Sequence, residues 1–269
     1  MDSILSNELP RLVITWAEEA LKYAIDARKN LTLGSVSQKS AGDLVTTIDI
    51  EIERLLTAHI QRYFPDHSIC GEESLGVVGN SLYKWYIDPL DGTINYVASA
   101  SDYSISVAIY REDTPLLGVV WSKKAKFAAT RGKIIQKPDF SICRRPANLD
   151  EAVIHFSPRT MAKLSEYGGD FLGLMKAVRH GRYLGSSALE LCAVAIGSSD
   201  IFIAGSLMPW DYAAARVVLE AEGCRLLVLE EPLPLVLAWR DETILRLILP
   251  FLPSELYLSI EDNLRGDSN

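Results

Sequence analysis

The order in which two periodicities follow one another limits the architectures open to this chain. From Glu8 to about Asn30, the residues Leu9, Leu12, Val13, Trp16, Ala20, Tyr23, Ala24 and Ala27 recur at spacings of three and four, the pattern of an amphipathic helix. Ile48 to Phe64 repeats it with Ile52, Leu55, Leu56 and Ile60, and Pro65 ends it, because proline disfavours helical backbone in the residue before it. Trp85 to Ile87, Ser104 to Tyr110, Leu116 to Trp121 and Lys126 to Thr130 are short and rich in β-branched and aromatic residues, with turn residues between them. They read as strands. After the polar stretch Cys143 to Asp150 the pattern restarts, with strands at Ala152 to Phe156 and Ile201 to Ala204. Helices are expected at Thr160 to Gly168, Ala188 to Ile196 and Tyr212 to Glu222. Mixed elements in both halves predict an α/β fold of layered helices and sheets. Residues 1–147 form a first lobe and 148–269 a second in this reading, joined as one continuous unit.

Composition narrows the function classes. A chain of 269 residues that is 48% hydrophobic can bury one large core or two joined lobes. A formal charge of -8 leaves no basic footprint for nucleic acid, and an anionic ligand would need a bound cation or local positive charge. Met1 to Pro10 holds no basic segment leading into an apolar core, so a cytoplasmic protein is expected. The apolar stretch Ile244 to Pro253 is broken by Arg246 and two prolines, and no membrane span is predicted. Cys70, Cys143, Cys192 and Cys224 show no paired spacing and read as free thiols. Val228 to Leu237, with its acids and prolines, reads as a surface excursion or an interface, and Asp262 to Asn269 as a frayed polar tail.

The chemistry concentrates in Trp85-Tyr-Ile-Asp88-Pro-Leu-Asp91-Gly-Thr93-Ile-Asn95, where a strand delivers two carboxylates to a turn. Hard divalent ions such as magnesium prefer oxygen ligands, so Asp88, Asp91 and the Leu90 carbonyl suit one cation. The Gly92 and Thr93 amides stand at an expected helix start, a natural phosphate seat. Each piece also has an ordinary explanation: D-P-x-D-G alone makes a turn, Glu72 and Glu73 alone are solvated acids, and Asp211 before a helix is an N-cap.

Together, however, Gly71-Glu72-Glu73-Ser74, the Asp88 to Asn95 segment and Trp210-Asp211 reproduce, in order and spacing, the pattern of the inositol monophosphatase superfamily. Lys39 to Asp49 resembles its upstream K-x(3 or 4)-D-L-V-T-x-x-D element, and Gly185-Ser-Ser-Ala188 its G-S-x-A element. The resemblance covers roughly Glu8 to Gly223.

That resemblance implies a layered phosphatase fold and two or three magnesium ions held by Glu72, Asp88, Asp91, Asp211 and the Leu90 carbonyl, with Glu73 in support. It implies that Asp49 and Thr93 pair beside an attacking water that Glu72 also orders, and that Lys39 lies nearby. Leu90, Gly92, Thr93, Gly185, Ser186, Ala188 and Asp211 would line the substrate site, and Asn95 would fix the loop. The implied activity is hydrolysis of a phosphomonoester, foremost inositol monophosphate, with lithium sensitivity and a homodimer. Asn95-Tyr96 favours a polyol or sugar phosphate over adenosine bisphosphates. Ala204 stands where many inositol-type members carry an acid that grips a substrate hydroxyl, which keeps fructose 1,6-bisphosphate and NADP open as substrates. Ala98 and Ala215 are smaller departures. A catalytically weak regulatory homologue is the reading from another class. The four histidines lie outside these motifs, and core or surface roles are expected for them.

Overall fold

A computed structural model describes residues 8–30, 36–40, 43–73, 77, 79, 81–139 and 146–266. In chain order the first half contains α1 (Leu9–Ala27), β1 (Val36–Ser40), β2 (Asp43–Thr46), α2 (Thr47–Tyr63), β3 (Ser68–Gly71), β4 (Tyr83–Asp91), α3 (Thr93–Ser99), β5 (Ser104–Arg111), β6 (Thr114–Trp121), β7 (Lys126–Thr130) and β8 (Lys133–Gln136). Then come β9 (Val153–Phe156), α4 (Pro158–Glu166), α5 (Phe171–Ala177), β10 (His180–Arg182), α6 (Ser187–Ala195), β11 (Ile201–Gly205) and α7 (Pro209–Ala221). The chain closes with β12 (Arg225–Leu229), β13 (Leu235–Trp239), α8 (Glu242–Ile248) and α9 (Ser254–Gly266).

These elements fall into two compact units. The first comprises Met1–Phe140, Leu184–Cys192 and Met208–Glu222, and the second Ser141–Tyr183, Ala193–Leu207 and Gly223–Asn269. The expected division at residue 147 therefore needs correcting. Two later segments fold with the first half, because α7 packs on β4, β5 and β6, and Asp211 travels with them.

In the first unit a six-stranded sheet runs in the order β3-β4-β5-β6-β7-β8, with β3 parallel to β4 and every other pair antiparallel. Strand β5 is buried at every position but its last, so both faces of the sheet are covered. Its alternation assigns them. Ile105, Val107 and Ile109 join Val13, Trp16 and Ala20 of α1 and Ile52, Leu56 and Ile60 of α2 in one apolar cluster. On the opposite face the Ser106 hydroxyl donates to Trp210 O at 3.4 Å and the Tyr110 hydroxyl to Ala213 O at 3.0 Å, both in α7. Gly118 of β6 belongs to that face too, since a Cβ on it would stand 2.2 Å from Ala214 O. Helix α2 starts where it does because Thr46 and Asp49 form a capping box, each side chain bonding the other's backbone N–H.

The second unit holds a five-stranded sheet in the order β10-β9-β11-β13-β12. Val228 to Leu237 is not a surface excursion: it contains the end of β12 and the start of β13, paired antiparallel, and β13 is buried at all of its positions. Asp262 to Gly266 likewise continues α9, whose Leu264 joins the core, so only residues 267–269 of the expected tail lie outside the described part. Among the described residues Cys70, Cys192 and Cys224 are free thiols, and Cys143 lies outside them. His67 is a core residue, its ring stacked between Phe64 and Tyr83 and its Nδ1 accepting from Trp85 Nε1 at 3.0 Å. No described helix is long and apolar enough to cross a membrane.

Candidate active site

The parallel pairing of β3 with β4 brings the first acids together. Gly71 is in register with Ile87, and the Glu72 N–H donates to Ile87 O at 3.1 Å, so Glu72 leaves β3 beside Asp88. Residues three apart in a regular strand face opposite sides. Here Asp88 pairs with Ser106 and Asp91 with Ser104, three residues against two, and this bulge resets the alternation between the two aspartates. Pro89 within it has no N–H to lose from the ladder. The turn then closes on itself: the Leu90 N–H donates to Asp88 Oδ1 at 3.0 Å, and the Thr93 hydroxyl lies 3.1 Å from both Asp49 Oδ1 and Leu90 O. The expected partnership of Asp49 with Thr93 is therefore present in the geometry.

Gly92 precedes α3 at φ 96°, a backbone conformation that favours glycine. A Cβ there would also meet Gly185 O at 3.0 Å and Asp102 O at 3.1 Å. Asn95 ties the same strands of chain together, its Nδ2 donating to Asp102 O at 2.9 Å and Leu184 O at 2.6 Å. The segment Leu184 to Ala188 is held from behind by Glu190, whose carboxylate accepts from the Leu184 and Gly185 N–H groups.

The donors of that segment are turned on Asp91. Its Oδ1 accepts from Ser187 N at 3.0 Å, and its Oδ2 from Ala188 N at 2.8 Å and from the Ser186 hydroxyl. Asp91 thus serves as the acceptor at the start of α6, where the first N–H groups have no partner within the helix. Asp211 is not the N-cap of α7. Pro209 begins the helix earlier than expected and Met208 is the cap, so Asp211 is the third helical residue and accepts the Met208 N–H at 2.7 Å. Lys39 lies in β1, and its side chain is outside the described residues.

Charge ties the four acids to one place. Burial holds the Asp88 carboxyl well above the ordinary range, and Glu72, Asp91 and Asp211 push it further the same way, with Glu72 within hydrogen-bonding reach. Asp91 is raised to about 7 by burial, against the three hydrogen bonds that stabilise its charge. Burial also raises Asp49, although bonds from Thr46 and Thr93 oppose it and Glu72 adds to it.

Among the described residues no three acidic side chains already converge tightly enough to enclose an ion, and Asp88, Asp91 and Asp211 each accept a nearby N–H group. Their chemistry nevertheless fits a hard divalent cation, all donors being carboxylate or carbonyl oxygen. A cation is also what relieves the mutual repulsion of buried acids.

Three supporting residues were not anticipated. Glu190 holds the Leu184 to Ala188 segment, and Arg28 fixes α3 from the end of α1, donating from Nε to Tyr96 O at 2.8 Å and from Nη2 to Val97 O at 2.7 Å. Glu53 is buried one helical turn beyond Asp49. For Glu53 a signal existed: Asp49, Glu53 and Thr57 recur every four residues along α2 and all three are buried, a polar stripe on a face that otherwise packs inward.

Comparison with known proteins gives the chain its relatives. The pattern of the inositol monophosphatase family matches residues 8–246. The inositol-1-monophosphatase of Bacillus subtilis (strain 168) is 32% identical over 225 residues, spanning 81% of this chain and 84% of that protein. The fructose-1,6-bisphosphatase/inositol-1-monophosphatase of Aquifex aeolicus (strain VF5) is 30% identical over 207 residues, 74% of this chain and 77% of that one. The crystal structure of inositol monophosphatase-II from Staphylococcus aureus MSSA476 superposes with a TM-score of 0.77 at 25% identity, covering 96% of this chain and 98% of that one. A family pattern that spans most of the sequence and relatives of this identity and coverage agree, and the chain belongs to the inositol monophosphatase family.

Proposed function

We propose that this protein is a magnesium-dependent phosphomonoesterase whose foremost substrate is an inositol monophosphate. The observation that carries the reading is the burial of Asp88 among Glu72, Asp91 and Asp211, an arrangement that disfavours a bare phosphate and favours one accompanied by cations. Glu72, Asp88, Asp91, Asp211 and the Leu90 carbonyl would hold two or three magnesium ions. When bound, such ions polarise phosphate oxygens, make a water acidic and offset charge on the departing alkoxide.

The chain's own residues divide the remaining work. Asp49 accepts from the Thr93 hydroxyl, and this pair, with Glu72, orients the attacking water and takes its proton. The Gly92 and Thr93 amides receive phosphate oxygens. Lys39, as the family resemblance implies, would add positive charge. The loop from Gly185 to Ala188, together with Asp211, lines the space for the alcohol part of the substrate. We further propose a cytoplasmic homodimer that lithium inhibits.

A second reading keeps the chemistry and broadens the substrate to sugar bisphosphates or NADP. Ala204 favours it, since many inositol-type members carry an acid at that place. The test is phosphate release from inositol 1-phosphate, fructose 1,6-bisphosphate, NADP and adenosine 3',5'-bisphosphate, each with magnesium, with chelator and with added lithium. Magnesium-dependent release from inositol 1-phosphate above the others is the expected outcome. Preference for fructose 1,6-bisphosphate or NADP would select the broader reading, and no release from any of them would sink both.

A further inference from the structure

One buried acid has no part in the chemistry above. Glu53 is fully buried in α2, and its carboxylate lies directly beneath the turn that follows β3. Its Oε2 accepts the Glu73 N–H at 2.7 Å. Gly71 approaches the same group so closely that a Cβ on it would fall 2.3 to 2.6 Å from the carboxylate atoms of Glu53. The residues on both sides of Glu72 are thus seated on one side chain. Glu53 also follows Asp49 by four positions, which puts both acids on one face of α2. Asp49 meets Thr93 while Glu53 meets the turn that carries Glu72, so one rigid helix references two parts of the site to each other.

We propose that Glu53 is the positioning residue for Glu72. Its carboxylate accepts the Glu73 N–H and, with the space left by Gly71, sets how the Glu72 carboxyl is presented to a divalent cation. This rests on the reading of Glu72 as a metal ligand. The contact needs an acceptor oxygen of the right reach, which glutamine keeps and leucine lacks.

The test uses the full chain and its Glu53→Gln, Glu53→Leu and Gly71→Ala variants. Binding of Mn2+ is read by electron paramagnetic resonance of the free ion, alongside magnesium-dependent phosphate release and thermal unfolding. Residues that orient metal ligands are worth roughly 10- to 100-fold in metal affinity. Glu53→Leu is expected to lose that much, with kcat falling further than KM rises, whereas Glu53→Gln stays within about threefold of wild type. Gly71→Ala keeps the Glu53 carboxylate but displaces it, and should follow the leucine variant.

A Glu53→Leu protein that folds and binds Mn2+ as wild type does would overturn the proposal. So would a glutamine variant as weak as the leucine one, because the effect would then trace to charge. If the leucine variant does not fold, unchanged Mn2+ affinity in Gly71→Ala overturns it equally. A wild type that binds Mn2+ but releases no phosphate defeats the phosphatase reading while leaving the positioning result intact. A wild type that binds no Mn2+ defeats the positioning proposal itself.

Discussion

Asp91 receives three hydrogen bonds from the start of α6 and still holds its proton up to about pH 7, because burial outweighs those bonds. In the unfolded chain the same carboxyl titrates near its ordinary value of 3.8. Between those two values the folded state keeps a proton that the unfolded state has released, so stability falls as pH rises through the window. Asp88 acts in the same direction. The melting temperature of the chelator-treated protein should therefore drop from about pH 4 to about pH 7, by an amount equivalent to a few kcal/mol. Thermal unfolding across that range checks it, and Asp91→Asn should flatten part of the slope. In the proposed enzyme the same variant lowers turnover at least about a hundredfold, since a ligand is lost and an amide NH2 is turned toward backbone donors. Metal binding needs the ionised form, so protection by magnesium should grow over the same interval. At this scale Glu72, Asp88, Asp91 and Asp211 were legible because a spaced motif carries them. Glu190 was not, because a single acid on a helix reads as solvated until the loop it supports is seen, and Glu53 shows only through the polar stripe it forms with Asp49 and Thr57 along α2.

Among the elements, α3 is too short to stand alone. It has seven residues, short of what an isolated helix needs in water, yet it carries Thr93. It is tied at one end by Thr93 with Asp49 and at the other by the Arg28 guanidinium on its last carbonyls and the Tyr96 hydroxyl on Ala24 O at 2.8 Å. Arg28→Met leaves two carbonyls unpaired, at a cost of about 1–3 kcal/mol, and amide hydrogen exchange in residues 93–99 should rise more than elsewhere in the first unit. Equal exchange throughout would show that α3 is held by packing alone. Gly118 makes the matching case for α7. Gly118→Ala drives a Cβ toward Ala214 O, and a destabilisation of about 1–3 kcal/mol is expected in chemical denaturation. The helices α1 and α2 and the strands β5 to β7 were readable because their periods are uninterrupted. The β12–β13 hairpin was not, because Glu230, Glu231, Pro232 and Pro234 gave a loop signal that masked Leu235 to Trp239, a run apolar enough to be buried on both faces.

For the molecule as a whole, a linear reading misjudged the boundary. Composition changes near residues 143–150, but the chain returns to its first unit at Leu184–Cys192 and again at Met208–Glu222. Nothing local announces those returns. They depend on α7 finding a sheet face whose Gly118 lies some ninety residues earlier in sequence, and long-range pairing of this kind is what single-sequence patterns carry least. The returns also set an order in time. On a ribosome, where segments emerge from the amino end onward, the strands that carry Glu72, Asp88 and Asp91 are made well before the helix that carries Asp211. One sheet face and the full acidic set must wait for that helix. The growing chain therefore passes through a long interval with its sheet uncovered on one side, and any hydrolytic competence would be confined to chains in which that helix has already emerged.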